Sequence, residues 1–141
     1  MKEASDSSPS STSTAAQITG HVSPLDVEFL EEIVGETWNG DCAAYAFNSG
    51  KVPKNKTIQV SLGVLECEIF TISPIKEIDE KLHFAPLGLI DMYNSGGAIE
   101  EFSFKETITI KARGSGPFGA YSSKKPSSFK SNENMRTFIR I

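Results

Sequence analysis

Eighteen acidic residues stand in this chain of 141, and paired carboxylates are the first chemistry to test. Glycosidic catalysis needs two carboxyl groups about 5–5.5 Å apart for retention of configuration. Most of the acids fall on the polar side of one predicted helix or alternate outward along predicted strands. Two have unusual neighbours: Asp41, in Trp38-Asn39-Gly40-Asp41, and Asp91, in Ile90-Asp91-Met92-Tyr93-Asn94-Ser95-Gly96-Gly97. Both adjoin turn residues, where an Asp commonly bonds the local backbone, so a catalytic Asp41/Asp91 pair is not the expected reading. Trp38 beside Asp41 has the makings of a sugar-stacking platform. A lone Trp in a domain of this size more often anchors a helix against a sheet. His21, His83, Cys42 and Cys67 are the candidate metal ligands or nucleophile–base partners. Their spacing matches no C-x-x-C or H-x-x-x-H pattern, and there is no G-x-S-x-G. Cys67 alternates with Leu65 and Ile69, as a small buried hydrophobe would, and His83 is expected on a strand surface. No catalytic, cofactor-binding or metal-binding residue is assigned, and no cofactor is expected.

The elements that would position these residues are mostly strands. One helix is expected over 24–34. Ser23 would cap it, Pro24 fits its first position and Asp26 its first turn. Leu25, Phe29 and Ile33 recur every four residues, Glu28, Glu31 and Glu32 lie opposite, and Gly35 stops it. This amphipathic helix should dock on something. Thereafter apolar residues alternate: Cys42–Phe47 is a small and aromatic run, and Ile58/Val60/Leu62, Leu65/Cys67/Ile69 and Ile108/Ile110 have period two. Pro53-Lys54-Asn55, Ser73-Pro74, Asn94-Ser95-Gly96-Gly97 and Gly114-Ser115-Gly116-Pro117 supply turns. The pattern predicts a mostly β fold, an antiparallel β-sandwich with one short N-terminal helix.

Composition narrows the function classes. One domain's length excludes a (β/α)₈ barrel, and the apolar runs are too short for a membrane helix. The net charge of −4 is uneven: residues 1–106 carry 7 basic and 17 acidic side chains, and residues 107–141 carry 7 basic and 1 acidic. Basic residues of the second part are dispersed over strands and turns, so neither nucleic acid nor membrane is an expected partner. Eight of the first 14 residues are Ser or Thr, with no apolar stretch of a signal peptide. Residues 1–16 read as a disordered leader. Glu3, Asp6 and the lack of Arg oppose a plastid address, so a cytoplasmic location is expected, with both cysteines as free thiols. The Asn55-Lys56-Thr57 sequon should then stay unmodified.

Several runs together resemble one family. They are Pro24-Leu25-Asp26-Val27, Trp38-Asn39-Gly40-Asp41, Leu65 to Glu77, Phe84-Ala85-Pro86-Leu87-Gly88-Leu89 through Glu100, and Gly114 to Pro126. Over residues 17–126 the chain is similar to the C-terminal β-sandwich of plant raffinose synthases and their alkaline α-galactosidase relatives. The resemblance implies carbohydrate metabolism, with galactosyl transfer from galactinol to sucrose, on a catalytic barrel flanked by β-rich domains. The family's catalytic aspartates lie on that barrel and match no position here, so this domain is expected to be inactive alone. A full-length homologue or barrel subunit is the partner it implies, and a galactoside is the partner that the Trp38 platform would take. Residues 127–141 are expected to be a divergent tail, within which Met135–Ile141 could supply a last strand. A sandwich shortened there would expose an edge and apolar surface.

Overall fold

The computed structural model describes residues 16–35, 37–52, 56–131 and 138–140. Residues 1–15 of the Ser/Thr-rich leader, the expected turn Pro53-Lys54-Asn55 with the sequon's Asn55, and Met135–Thr137 and Ile141 of the tail lie outside them. The described chain is mostly β: β1 (Ile18–Val22), β2 (Cys42–Ala46), β3 (Ile58–Leu62), β4 (Phe70–Pro74), β5 (Lys76–Asp79), β6 (Leu82–Leu89), β7 (Ile99–Phe104), β8 (Ile108–Ala112), β9 (Phe118–Ser122) and β10 (Phe138–Arg140), with one α-helix, α1 (Leu30–Val34).

The strands form four small sheets. A central one runs β10-β9-β6-β5, and β1-β3, β2-β4 and β7-β8 are two-stranded. All pairs are antiparallel except β10 with β9, which is parallel. The expected antiparallel β architecture is therefore present, but β6 and β9 bury both faces. On one side Phe84, Leu89, Phe118 and Ala120 meet Phe102, Ile108 and Ile110 of β7-β8. On the other, Ala85, Leu87 and Ile90 meet Ala43 and Tyr45 of β2. Small side chains on β2 and β6 let these backbones approach.

One residue in β6 makes this double burial work. Its register against β9 shifts between Pro86 and Gly88, and the extra residue resets the in–out alternation. Leu87 thus enters one core and Leu89 the other. Gly88 sits at φ +93, and a Cβ there would lie 1.8 Å from the Ser95 carbonyl oxygen. That carbonyl accepts from Leu89 N–H (3.2 Å) and Ala98 N–H (3.3 Å). The buried Ser95 hydroxyl bonds Thr71 Oγ1 at 2.6 Å. The Asn94-Ser95-Gly96-Gly97 run is thus a clamp that holds its loop on β6.

Three expectations are corrected. Ser73-Pro74, expected as a turn, ends β4 and pairs with Ala43 and Cys42 of β2. The helix over 24–34 is broken. Ser23 and Asp26 do form a reciprocal capping box, but on a 3-10 turn, Pro24–Asp26. Phe29 then adopts a left-handed conformation (φ 60, ψ 11), and α1 starts after it. Only Leu30 of α1 is buried; Leu25, Phe29 and Ile33 are exposed. The alternating run Leu65/Cys67/Ile69 is no strand up to Ile69. Glu66 Oε2 accepts from Gly63 N–H (2.7 Å), and the Glu68 carboxylate accepts from the N–H groups of Asn48 (2.7 Å), Ser49 (3.1 Å) and Ile69 (3.0 Å). Side chains satisfy backbone that a ladder would otherwise pair. Leu65 is left-handed and fully exposed, and Cys67 is exposed rather than a core residue.

Gly88→Ala should destabilise the fold by about 3 kcal/mol or more, because it combines a forbidden backbone angle with a backbone clash. Gly20, with nothing within 4 Å of its would-be Cβ, is the control: Gly20→Ala should change stability by about 0.5 kcal/mol at most. Urea midpoints of the two variants decide this.

Candidate functional site

The segment between α1 and β2 builds a polar concavity. Gly40, at φ +86, turns the chain so that Asn39 and Asp41 face each other. Asn39 Oδ1 accepts Asp41 N–H at 2.9 Å, and Asn39 Nδ2 donates to Asp41 Oδ2 at 3.0 Å. The Asp41 carbonyl accepts from Trp38 Nε1–H (2.9 Å) and from Ile75 N–H (2.9 Å). Trp38 is therefore fixed in place, with its ring half-buried between α1 and the start of β5. Asp41 Oδ1 pairs with Lys56 Nζ at 3.2 Å, both largely exposed, a contact of about 0–1 kcal/mol.

Trp38, Asn39 and Asp41 line a cleft of about 510 Å³, closed on the other sides by Lys76, Glu77, His83 and Phe104. Glu77 and His83 are cross-strand partners on β5 and β6. His83 lies exposed on its strand surface, while its backbone exchanges hydrogen bonds with Ser123. The cleft thus offers an aromatic wall, two carboxylates, an imidazole and amide groups. Such a set is suited to hydrogen-bonding and stacking on a polyol. Trp38 and Asp41 stand out in the sequence; Glu77, His83 and Phe104 join them only through strand register, for which no local motif exists.

The other candidates are scattered. Asp41 precedes β2, whereas Phe47, which follows β2, packs against Tyr93 with the rings tilted by 47° (centroids 4.8 Å), two residues from Asp91. Asp41 lines the cleft, and Asp91 is not among its lining residues. Asp91 is an exposed turn residue, and His21 is exposed on β1. Cys42 is half-buried, and burial, followed by the neighbouring Asp41 charge, pushes its thiol up to about 11. A thiol so raised is almost wholly protonated at neutral pH and a poor nucleophile. Among the described residues no three His, Cys, Asp or Glu side chains gather as a metal-binding set. No helix there is long and apolar enough to cross a membrane.

Residues 6–139 match a family described as raffinose synthase or seed imbibition protein Sip1, a wider span than the 17–126 on which the resemblance rests. The chain is 44% identical over 117 residues to a probable galactinol–sucrose galactosyltransferase 6 of Arabidopsis thaliana, covering 77% of this chain and 16% of that one. It is 39% identical over 114 residues to the probable galactinol–sucrose galactosyltransferase 1 of the same plant, covering 75% and 15%. With the galactinol–sucrose galactosyltransferase of Pisum sativum it shares 33% over 118 residues, covering 77% and 15%. The chain spans about one-sixth of the length of these relatives.

The two thiols should react on separate timescales. At pH 8 a group with its pKa near 11 is ionised to about one part in a thousand, so an aromatic disulfide reagent should titrate Cys67 quickly and Cys42 only slowly or after unfolding. Cys67→Ser should abolish the fast phase; a fast phase that survives it would contradict the placement of Cys42.

Proposed function

This chain belongs to the raffinose synthase or seed imbibition protein Sip1 family, and we propose that it serves there as the non-catalytic C-terminal β-domain of a galactinol–sucrose galactosyltransferase. One observation carries the reading: the match with the Arabidopsis relative fills 77% of this chain but only 16% of that enzyme. Catalysis would then reside in the rest of a family enzyme, the barrel that the resemblance implies. The partner is that body, in a full-length homologue or a separate barrel subunit. Its setting is the cytoplasm of a plant cell, and the chemistry it serves is galactosyl transfer of the glycoside-hydrolase type.

A second reading is favoured by the Trp38 cleft. Its size of about 510 Å³ is within the range of small-molecule sites, and its aromatic wall and polar rim suit a galactoside. On this reading the domain binds sugar without transforming it.

Purified chain incubated with galactinol and sucrose should form no raffinose; measurable raffinose would overturn the first reading. Titration with raffinose or galactinol tests the second. The chain's single Trp reports directly on the cleft, and saturable change in its fluorescence, lost in Asp41→Ala, is the outcome the second reading expects. A flat titration removes it.

A further inference from the structure

On the strength of the domain reading above, we propose that the apolar face of Leu25, Phe29 and Ile33 is the surface by which this domain seats on the catalytic body of a family enzyme. These side chains are 76%, 59% and 79% exposed and follow one another along a short segment, Leu25 on its 3-10 turn, Phe29 at the break and Ile33 on α1. The segment is well built rather than frayed: the Ser23/Asp26 capping box holds its start, and Gly35 N–H bonds the Glu31 carbonyl at its end. An ordered segment presenting three large hydrophobes to water is the mark of an interface.

Phe29 supplies an independent sign. A bulky residue at φ 60 is an outlier, costly unless the surroundings require it. Gly or Asn would adopt that angle more readily. Within the described chain the phenyl ring is mostly in water, so no core contact here explains why a Phe stands at this point. The explanation fits a contact made outside this domain.

The occupant follows from the comparisons. The face lies inside the span matched by the family, 6–139, and about five-sixths of the Arabidopsis relative lies outside the matched segment. A domain embedded in so much larger a chain has a neighbour of its own polypeptide to bury this face. Glu28, Glu31 and Glu32 flank the apolar residues, so the body's complementary patch should be apolar with a basic rim.

The test places this full chain in the Arabidopsis galactosyltransferase 6 relative, replacing its matched segment, and introduces Phe29→Gly or the pair Leu25→Ser/Ile33→Ser. The same substitutions go into the chain alone. In the chain alone, Phe29→Gly should leave the unfolding midpoint unchanged or raise it, since it relieves a left-handed angle. In the joined enzyme either variant should shorten the half-life on heating about tenfold. Equal half-lives in the joined enzyme overturn the docking face and leave the domain reading standing. Equal destabilisation in both contexts also overturns it, because the face would then serve the domain's own fold. If the isolated chain is a dimer that Leu25→Ser/Ile33→Ser dissociates, the occupant is a second copy and the proposal fails. An unsubstituted joined enzyme that is inactive overturns the domain reading and this proposal together.

Discussion

Where β6 passes Ser95, two stretches of backbone touch. The glycine at 88 has no Cβ, and one placed there would sit 1.8 Å from the Ser95 carbonyl oxygen. The same residue lies at the register shift against β9. From this contact the rest of the architecture follows. The shift turns Leu87 toward β2-β4 and Leu89 toward β7-β8, so one strand anchors two cores. The Ser95 hydroxyl, held by Thr71 on β4, ties one outer layer to the loop leaving β6. The Ser95–Ala98 hydrogen bond leads directly into β7 of the other. A two-sheet sandwich would leave one face of each sheet wet; here β6 and β9 are covered on both sides.

The acidic residues have a use that composition alone does not suggest. Partial burial would raise Glu68, but hydrogen bonds from the backbone of Asn48, Ile69 and Ser49 outweigh it and hold its carboxyl below the usual range. The group therefore supports the folded state when ionised and loses that role as pH falls through its lowered pKa. Asp79 is likewise lowered, first by the Lys81 backbone N–H. Asp26 bonds Ser23 N–H at 2.7 Å, Glu66 bonds Gly63, and Asp41 is engaged by Asn39 and Lys56. These acids act as acceptors that fasten turns. The charge division along the chain is partly reconciled in the same way, with Lys111 against Glu100 at 3.4 Å and Lys124 acting on Asp79.

Legibility in the sequence followed the range of the physics. Alternation revealed β3 and β8, and the small-residue run revealed β2, because burial of one face leaves a period-two trace. The Ser23 cap was legible because it is a contact between residues three apart. The break at Phe29 was not: a left-handed Phe has no signature, and apolar spacing on both sides of it still reads as one helix. The run 65–69 misled for a related reason, since its glutamates look outward-facing on a strand while actually bonding nearby backbone. In the cleft, Trp38 and Asp41 were visible as neighbours in sequence, but Glu77, His83 and Phe104 arrive from three strands and depend on a register that no local pattern specifies.

Polar and apolar groups are therefore committed in an unusual sense. Many of the carboxylates, though near the surface, already have partners within the domain. Several large hydrophobes, among them Leu25, Phe29 and Ile33 beside α1 and Ile18, Val64 and Leu65 near the β1-β3 ribbon, do not reach the core. In an autonomous domain the order runs the other way, with apolar side chains satisfied first and charges left to water. Among the described residues, the two non-glycine residues in the left-handed region, Phe29 and Leu65, both belong to this uncommitted apolar set. A backbone held at an unfavourable angle with its side chain in water has no return within the domain itself. A match that occupies about one-sixth of its relatives fits the same proposal, that these outward hydrophobes find their contacts on the larger enzyme.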